Sequence, residues 1–245
     1  VLREGGVEKK TRFVEEINIM KDNWQDIKGI MPIYDYSTEE HWYIMPNAKP
    51  ITEYIREEKL ELEDIIDLSI RLAQVLELLH EKQISHRDIK PSNIYFLDGD
   101  FVFGDFGLVD FPENDNDFTR SDKGLGAIFT IAPEMKRNPK HADGKMADVF
   151  SFAKTIWMFL TLDEKGFDGT YLYSDESFAL RNKPKFQQCH LVELEELLTD
   201  ATDNNPDRRP TMNVFANRLR EYLEILEDDE KSQISDWRFL SEKLF

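Results

Sequence analysis

Apolar positions along the chain change their spacing several times, and each change marks a change of element. Between residues 9 and 23, Phe13, Ile17 and Met20 recur at three-to-four spacing, which predicts an amphipathic helix ending near Asn23. The next two runs, residues 30–37 and 41–46, are short, β-branched and aromatic, and are bounded by turn residues. They predict two strands, antiparallel to each other. Pro46-Asn47-Ala48-Lys49-Pro50 is a proline-bracketed connector and the best candidate for a boundary between two lobes. Beyond it, Ile65, Leu68, Leu72, Val75, Leu76 and Leu79 form one helical stripe between Leu62 and Lys82. Residues 93–97 and 101–106 flank Asp98-Gly99-Asp100 as a short hairpin. Residues 108–127 lose periodicity and gather Asp, Asn, Ser and Gly, which predicts a long loop of the kind that is usually functional. Helical spacing returns at 147–162, 191–202 and 211–226. An acidic run at 227–231 then precedes residues 236–245, which can begin another element.

This pattern is a small strand-containing N-terminal piece followed by a larger helical piece, an α+β architecture. Its 245 residues are enough for one large domain or two lobes, and 40% apolar with 33% charged residues is an ordinary globular composition. No apolar run reaches the ~18 residues of a membrane span, and no secretory leader opens the chain. The single Cys189 has no internal partner for a disulfide, so a reducing compartment is expected and the cytoplasm is the default location. A net charge of −18 argues against nonspecific binding to nucleic acid or to an anionic membrane. Basic clusters such as residues 137–145 are isolated exceptions, and the acidic run at 56–67 reads as a solvated helix face.

The chemistry concentrates between residues 86 and 107, where Asp88, Lys90, Asn93 and Asp105 fall within one short stretch. Turn chemistry explains Asp98 and Asp100, whose side chains bond nearby backbone. It does not explain His86-Arg87-Asp88-Ile89-Lys90-Pro91-Ser92-Asn93 followed by Asp105-Phe106-Gly107. These two stretches resemble the catalytic loop and the Asp-Phe-Gly segment of eukaryotic-type protein kinases. The resemblance implies a two-lobed kinase-like fold, with a partial small lobe at 1–48, a helical lobe at 49–226 and a C-terminal extension at 227–245. It also implies transfer of the ATP γ-phosphate to a Ser or Thr hydroxyl of a protein substrate, with Mg²⁺ as the metal. Asp88 then takes the role of the acid beside the attacking hydroxyl, and Asn93 and Asp105 the role of the metal ligands. Lys90 resembles the lysine that meets the γ-phosphate in Ser/Thr-directed members. His86 and Phe106 read as core residues that support the site.

Further matches follow downstream. Ala132-Pro133-Glu134 resembles the close of the substrate-facing segment, and in the family that Glu pairs with an Arg for which Arg209 stands at the matching place. Asp148 matches the acid that accepts backbone hydrogen bonds from the catalytic loop. On local sequence alone, though, it reads equally well as an ordinary acid at a helix N-terminus. Thr119 and Ser121 are candidate phosphorylation sites, and Arg87 is the residue that would receive the phosphate.

Two departures qualify the resemblance. Ala127 stands where the family has a Thr that bonds the catalytic Asp and Lys. No G-x-G-x-x-G loop and no Val-Ala-Ile-Lys-like strand occurs in the chain, although Glu16, with Glu15 as a rival, resembles the helix Glu that pairs with that strand's Lys. The chain begins at Val1 without Met, so the sequence reads as an N-terminally truncated domain. Met45 resembles the residue at the back of the adenine pocket, and Asn47 and Ala48 belong to the linker that would meet adenine. A noncatalytic kinase-like binding module is the alternative reading. A related small-molecule phosphotransferase is a third, which Lys90, Ala132-Pro133-Glu134 and Arg209 disfavour.

Overall fold

The computed structural model describes residues 2, 6–107, 129–228 and 231–235. Among the described residues the main helices are, in chain order, α1 (Val7–Asn23), α2 (Ile51–Glu58), α3 (Leu62–Glu81), α4 (Pro133–Arg137), α5 (Gly144–Thr161), α6 (Val192–Ala201) and α7 (Met212–Leu226). The strands are β1 (Asp35–Ser37), β2 (Trp42–Ile44), β3 (Lys49–Pro50), β4 (Ile94–Leu97) and β5 (Asp100–Phe103).

Local chemistry explains where the long helices begin. α3 opens with a capping box in which Glu61 accepts from the third backbone N–H while Asp64 accepts from the Glu61 N–H at 3.0 Å. Asp143 caps α5 by accepting from the N–H groups of Lys145 and Met146, and Thr211 caps α7 through Val214. α3 packs along α7, and α5 lies against both α3 and α6. α5 is buried almost all round, from Ala147 to Leu160, as expected of a helix at the centre of a lobe.

β1 and β2 pair antiparallel, with Tyr36 opposite Tyr43. β4 and β5 form the expected hairpin, with Ile94 opposite Phe103 and Leu97 opposite Asp100. Asp98 and Gly99 both have positive φ, 50° and 93°, the handedness that a tight two-residue hairpin turn requires. The connector behaves differently from its sequence reading, because Lys49 and Pro50 pair with Phe96 and Tyr95 as an edge strand, β3. An edge position tolerates proline because no ladder partner needs its missing N–H. Helix α2 follows at once, and the sequence pattern had not separated it from the connector. The expected loop at 108–127 lies outside the described residues, together with Thr119, Ser121 and Ala127.

The N-terminal piece is tied to the hairpin through backbone. Met31 N–H donates to Phe103 O and Phe103 N–H donates to Gly29 O, both at 2.8 Å. One continuous apolar core runs from Ile19 of α1 to Tyr222 of α7. Among the described residues, no helix is long and apolar enough to cross a membrane.

Candidate active site

The site is built on the loop between α3 and β4, held from below by α5. Asp148, in the first turns of α5, is fully buried and its two oxygens accept the N–H groups of His86 at 2.8 Å and Arg87 at 2.7 Å. His80, from the end of α3, lies 2.9 Å from the same Asp148 oxygen that takes the His86 N–H, so its Nε2 is the donor. Arg87 adopts φ 62°, a left-handed conformation that costs a non-glycine residue about 1–2 kcal/mol. The Asp148 carboxylate offsets that cost with two charge-assisted bonds, and so sets the direction in which the chain enters Asp88.

His86 is buried against Phe106 and Phe103, with ring centroids 4.7 and 5.5 Å away. Its Nδ1 accepts from Asp88 N–H at 3.3 Å, which leaves Nε2 protonated to donate to Gly104 O at 3.2 Å. The imidazole thus joins the loop carrying Asp88 to the segment carrying Asp105. A second tie is Gly104 N–H to Asn93 O at 2.9 Å.

Lys90 Nζ donates to Asp88 Oδ2 at 2.8 Å. Asn93 is buried and its amide nitrogen donates to Asp88 O at 2.9 Å and to Asp88 Oδ2 at 3.2 Å. That use of the nitrogen leaves Oδ1 as the amide atom able to face a cation, with only a long 3.4 Å approach from Ser92 Oγ. Asp105 is exposed and takes φ 58°, a second left-handed residue at the same site. An exposed carboxylate and an amide oxygen would make an oxygen-only donor set with net negative charge, which suits a hard divalent cation that keeps several waters.

Glu16 projects from α1 toward the same place and is 7% exposed. A methyl group on Gly107 would sit 3.4 Å from Asp105 Oδ1 and 3.6 Å from Glu16 Oε2, so both carboxylates border that glycine. Burial, and then the Asp105 charge, push the Glu16 carboxyl up to about 7. Tyr43 Oη donates to Glu16 Oε1 at 3.0 Å, and its ring stacks on Phe13 at 5.3 Å. Of the rival pair, Glu16 is the one turned inward, while Glu15 is only half-buried. Met45, Asn47 and Ala48 occupy the stretch between β2 and β3, with Met45 and Asn47 exposed and Ala48 packed against the core.

Farther along the chain, Arg209 grips Glu134 with both terminal nitrogens, at 2.5 and 2.9 Å, and its Nε donates to Asp203 O at 2.8 Å. The guanidinium lies 4.8 Å from the centroid of the Phe150 ring. Arg87 Nη2 donates to Ala142 O at 3.4 Å. α5 comes so close beneath it that a Cβ at Gly144 would stand 2.2 Å from Ser85 Oγ and 2.8 Å from Arg87 Nε.

Sequence reasoning passed over Tyr43, His80 and Gly144. Tyr43 gave only a strand signal, and His80 sat at the end of an apolar stripe. Gly144 matters only through a close approach that no local pattern announces.

A loop held by a buried acid, an acid–lysine–amide cluster and a second acid on an adjoining segment thus make up one polar site. The chain matches the family described as protein tyrosine and serine/threonine kinase over residues 1–219, and it belongs to that family. It is 28% identical over 180 residues to a protein of Acanthamoeba polyphaga mimivirus named as a serine/threonine-protein kinase, a match covering 73% of this chain and 64% of that protein. It is also 28% identical to a vascular endothelial growth factor receptor kdr-like protein of Danio rerio, over 67% of this chain and 13% of that protein. A Wee1-like protein kinase of Arabidopsis thaliana is 28% identical over 62% of this chain and 29% of its own length. The chain therefore spans under two thirds of each of these relatives.

Proposed function

We propose that the protein containing this chain transfers the γ-phosphate of ATP to Ser or Thr hydroxyls of a protein substrate. The observation that carries the reading is the convergence of Lys90 Nζ and the Asn93 amide on Asp88 Oδ2, at 2.8 and 3.2 Å. In this reading the substrate hydroxyl oxygen attacks the γ-phosphorus, the bond from that phosphorus to the bridging oxygen of ADP breaks, and the hydroxyl proton passes to Asp88. Lys90 holds the Asp88 carboxylate in place and offers positive charge to the transferring phosphoryl group. Asn93 and Asp105 would hold Mg²⁺, which when bound supplies charge compensation to the triphosphate. Met45, Asn47 and Ala48 would line the adenine side, and Glu16 the phosphate side. The division into a partial small lobe at 1–48, a helical lobe at 49–226 and an extension at 227–245 belongs to the same reading.

The preference for Ser and Thr over Tyr rests on Lys90. It is tested by incubating the full-length protein with Mg²⁺, γ-labelled ATP and a mixed protein substrate, then identifying the labelled amino acids. Label on Ser or Thr is expected. Label confined to Tyr would overturn the specificity, and no label at all would favour the noncatalytic binding module.

A further inference from the structure

α5 carries a lysine in the middle of its most buried run. Lys154 is 3% exposed, and taking an ammonium out of water is expensive unless something answers it. Here two backbone carbonyls do so, Phe129 O at 2.9 Å and Phe167 O at 2.5 Å. The nitrogen also lies 4.4 Å from the centroid of the Phe167 ring and 5.1 Å from that of Phe150. One turn earlier on α5, Ser151 Oγ donates to Thr130 O at 2.9 Å. Two consecutive carbonyls, just ahead of Ala132-Pro133-Glu134, are thus held by two side chains of one helix. The same amine reaches across to the stretch that follows α5.

Burial, and then the neighbouring charge of Lys136, lower the Lys154 amine to about 7. A neutral amine still has two N–H groups, one for each carbonyl, so the tether survives deprotonation. An apolar side chain of similar length would fill the volume but leave both carbonyls without that donor.

We propose that Lys154 is a positioning residue for substrate, tying the substrate-facing backbone at Phe129–Thr130 to the Phe167 segment so that the polypeptide-binding surface is set from inside the helical lobe. The inference rests on the kinase reading and deepens it. Lys154 touches neither nucleotide nor the Asp88 cluster in this account, so its effect belongs to the polypeptide substrate and not to ATP.

The test compares full-length wild type with Lys154→Met, which removes the donors, and Lys154→Gln, which keeps two N–H groups on a shorter side chain. Two readouts are used: amide hydrogen exchange in peptides covering 129–135 and 165–170, and steady-state kinetics with a peptide substrate. Lys154→Met is expected to speed exchange in both stretches and to raise KM for the peptide about tenfold, with KM for ATP unchanged. Lys154→Gln is expected to recover part of both effects. Unchanged exchange in Lys154→Met overturns the tether, and unchanged peptide KM overturns its role toward substrate. Equal losses toward ATP and peptide also overturn that role, since they mark a general structural effect. If the wild type transfers no phosphate, the kinase reading fails on its own, and exchange alone then decides the tether. Faster exchange in Met than in Gln supports it, and identical exchange in the two variants overturns it.

Discussion

Arg209 and Glu134, 75 residues apart in sequence, meet as a two-bond fork in which the Arg209 side-chain nitrogens are fully shielded from solvent. The fork joins the segment before α7 to α4, and Arg209 also bonds Asp203 O and Met146 O, so one guanidinium fastens three parts of the helical lobe. A buried ion pair earns little net stability over an apolar substitute, but removing one partner strands the other. Arg209→Ala should therefore lower unfolding free energy by about 3–5 kcal/mol. Arg209→Lys keeps the charge and loses the planar fork, and should recover only a minor part of that loss. Denaturant melts of the three proteins check this, and an Arg209→Ala change under about 1 kcal/mol would contradict it.

Gly144 separates helix propensity from packing. Propensity alone favours alanine over glycine in a helix by about 0.5–1 kcal/mol. The space does not allow it, because the added carbon would meet Ser85 Oγ at 2.2 Å and Arg87 Nε at 2.8 Å. Gly144→Ala should destabilise by about 1–3 kcal/mol and displace the loop that leads to Asp88. A thermal melt at or above wild type would show that α5 does not press on that loop.

Glu16 gives the stability of this 245-residue chain a pH dependence of known sign. Its carboxyl is raised from an ordinary 4.5 to about 7, chiefly by burial and then by Asp105. Between those values the folded state keeps a proton that the unfolded chain has released, so stability falls as pH rises. The contribution is complete below about 4.5 and gone above about 7. Glu16→Gln should remove a fall on the order of 3 kcal/mol, an upper bound, between about pH 4.5 and about pH 7. Parallel stability profiles for variant and wild type would contradict the burial of the Glu16 carboxyl.

Asp148 is predicted to act through loop geometry. Asp148→Asn keeps one oxygen acceptor for the His86 and Arg87 N–H groups and places an amide donor where the other oxygen was. One backbone donor in a left-handed turn then lacks its acceptor, at a cost of about 1–3 kcal/mol. Hydrogen exchange of the Ser85–Asp88 amides should rise in the variant, and unchanged protection would count against the role.

Much of this arrangement was legible in the residues, because its signals are local. Helical stripes placed α1, α3, α5, α6 and α7 within a few residues of their observed ends, and the Asp98-Gly99 turn announced the β4–β5 hairpin. The short stretch 86–107 already contained Asp88, Lys90, Asn93 and Asp105 in order. What local pattern could not supply were relations across sequence distance. Tyr43 matters because α1 and β2 bring it to Glu16, 27 residues away, and His80 matters because α3 ends beside Asp148, 68 residues away. Lys49 and Pro50 look like a linker until β4 is beside them. Lys154 did leave a signal, a charge inside an otherwise apolar helical run, but its partners are backbone carbonyls that carry no sequence mark.

In the proposed function, Asp88 is the acid beside the reacting hydroxyl. The most direct test of that role is the rate of phosphate transfer from ATP to a Ser/Thr-containing protein by the full-length protein and by its Asp88→Asn variant, with Asp105→Asn alongside. Transfer by the wild type is expected, with a loss of about a hundredfold or more in Asp88→Asn and nucleotide affinity retained in that variant. Transfer by Asp88→Asn at the wild-type rate would contradict that role.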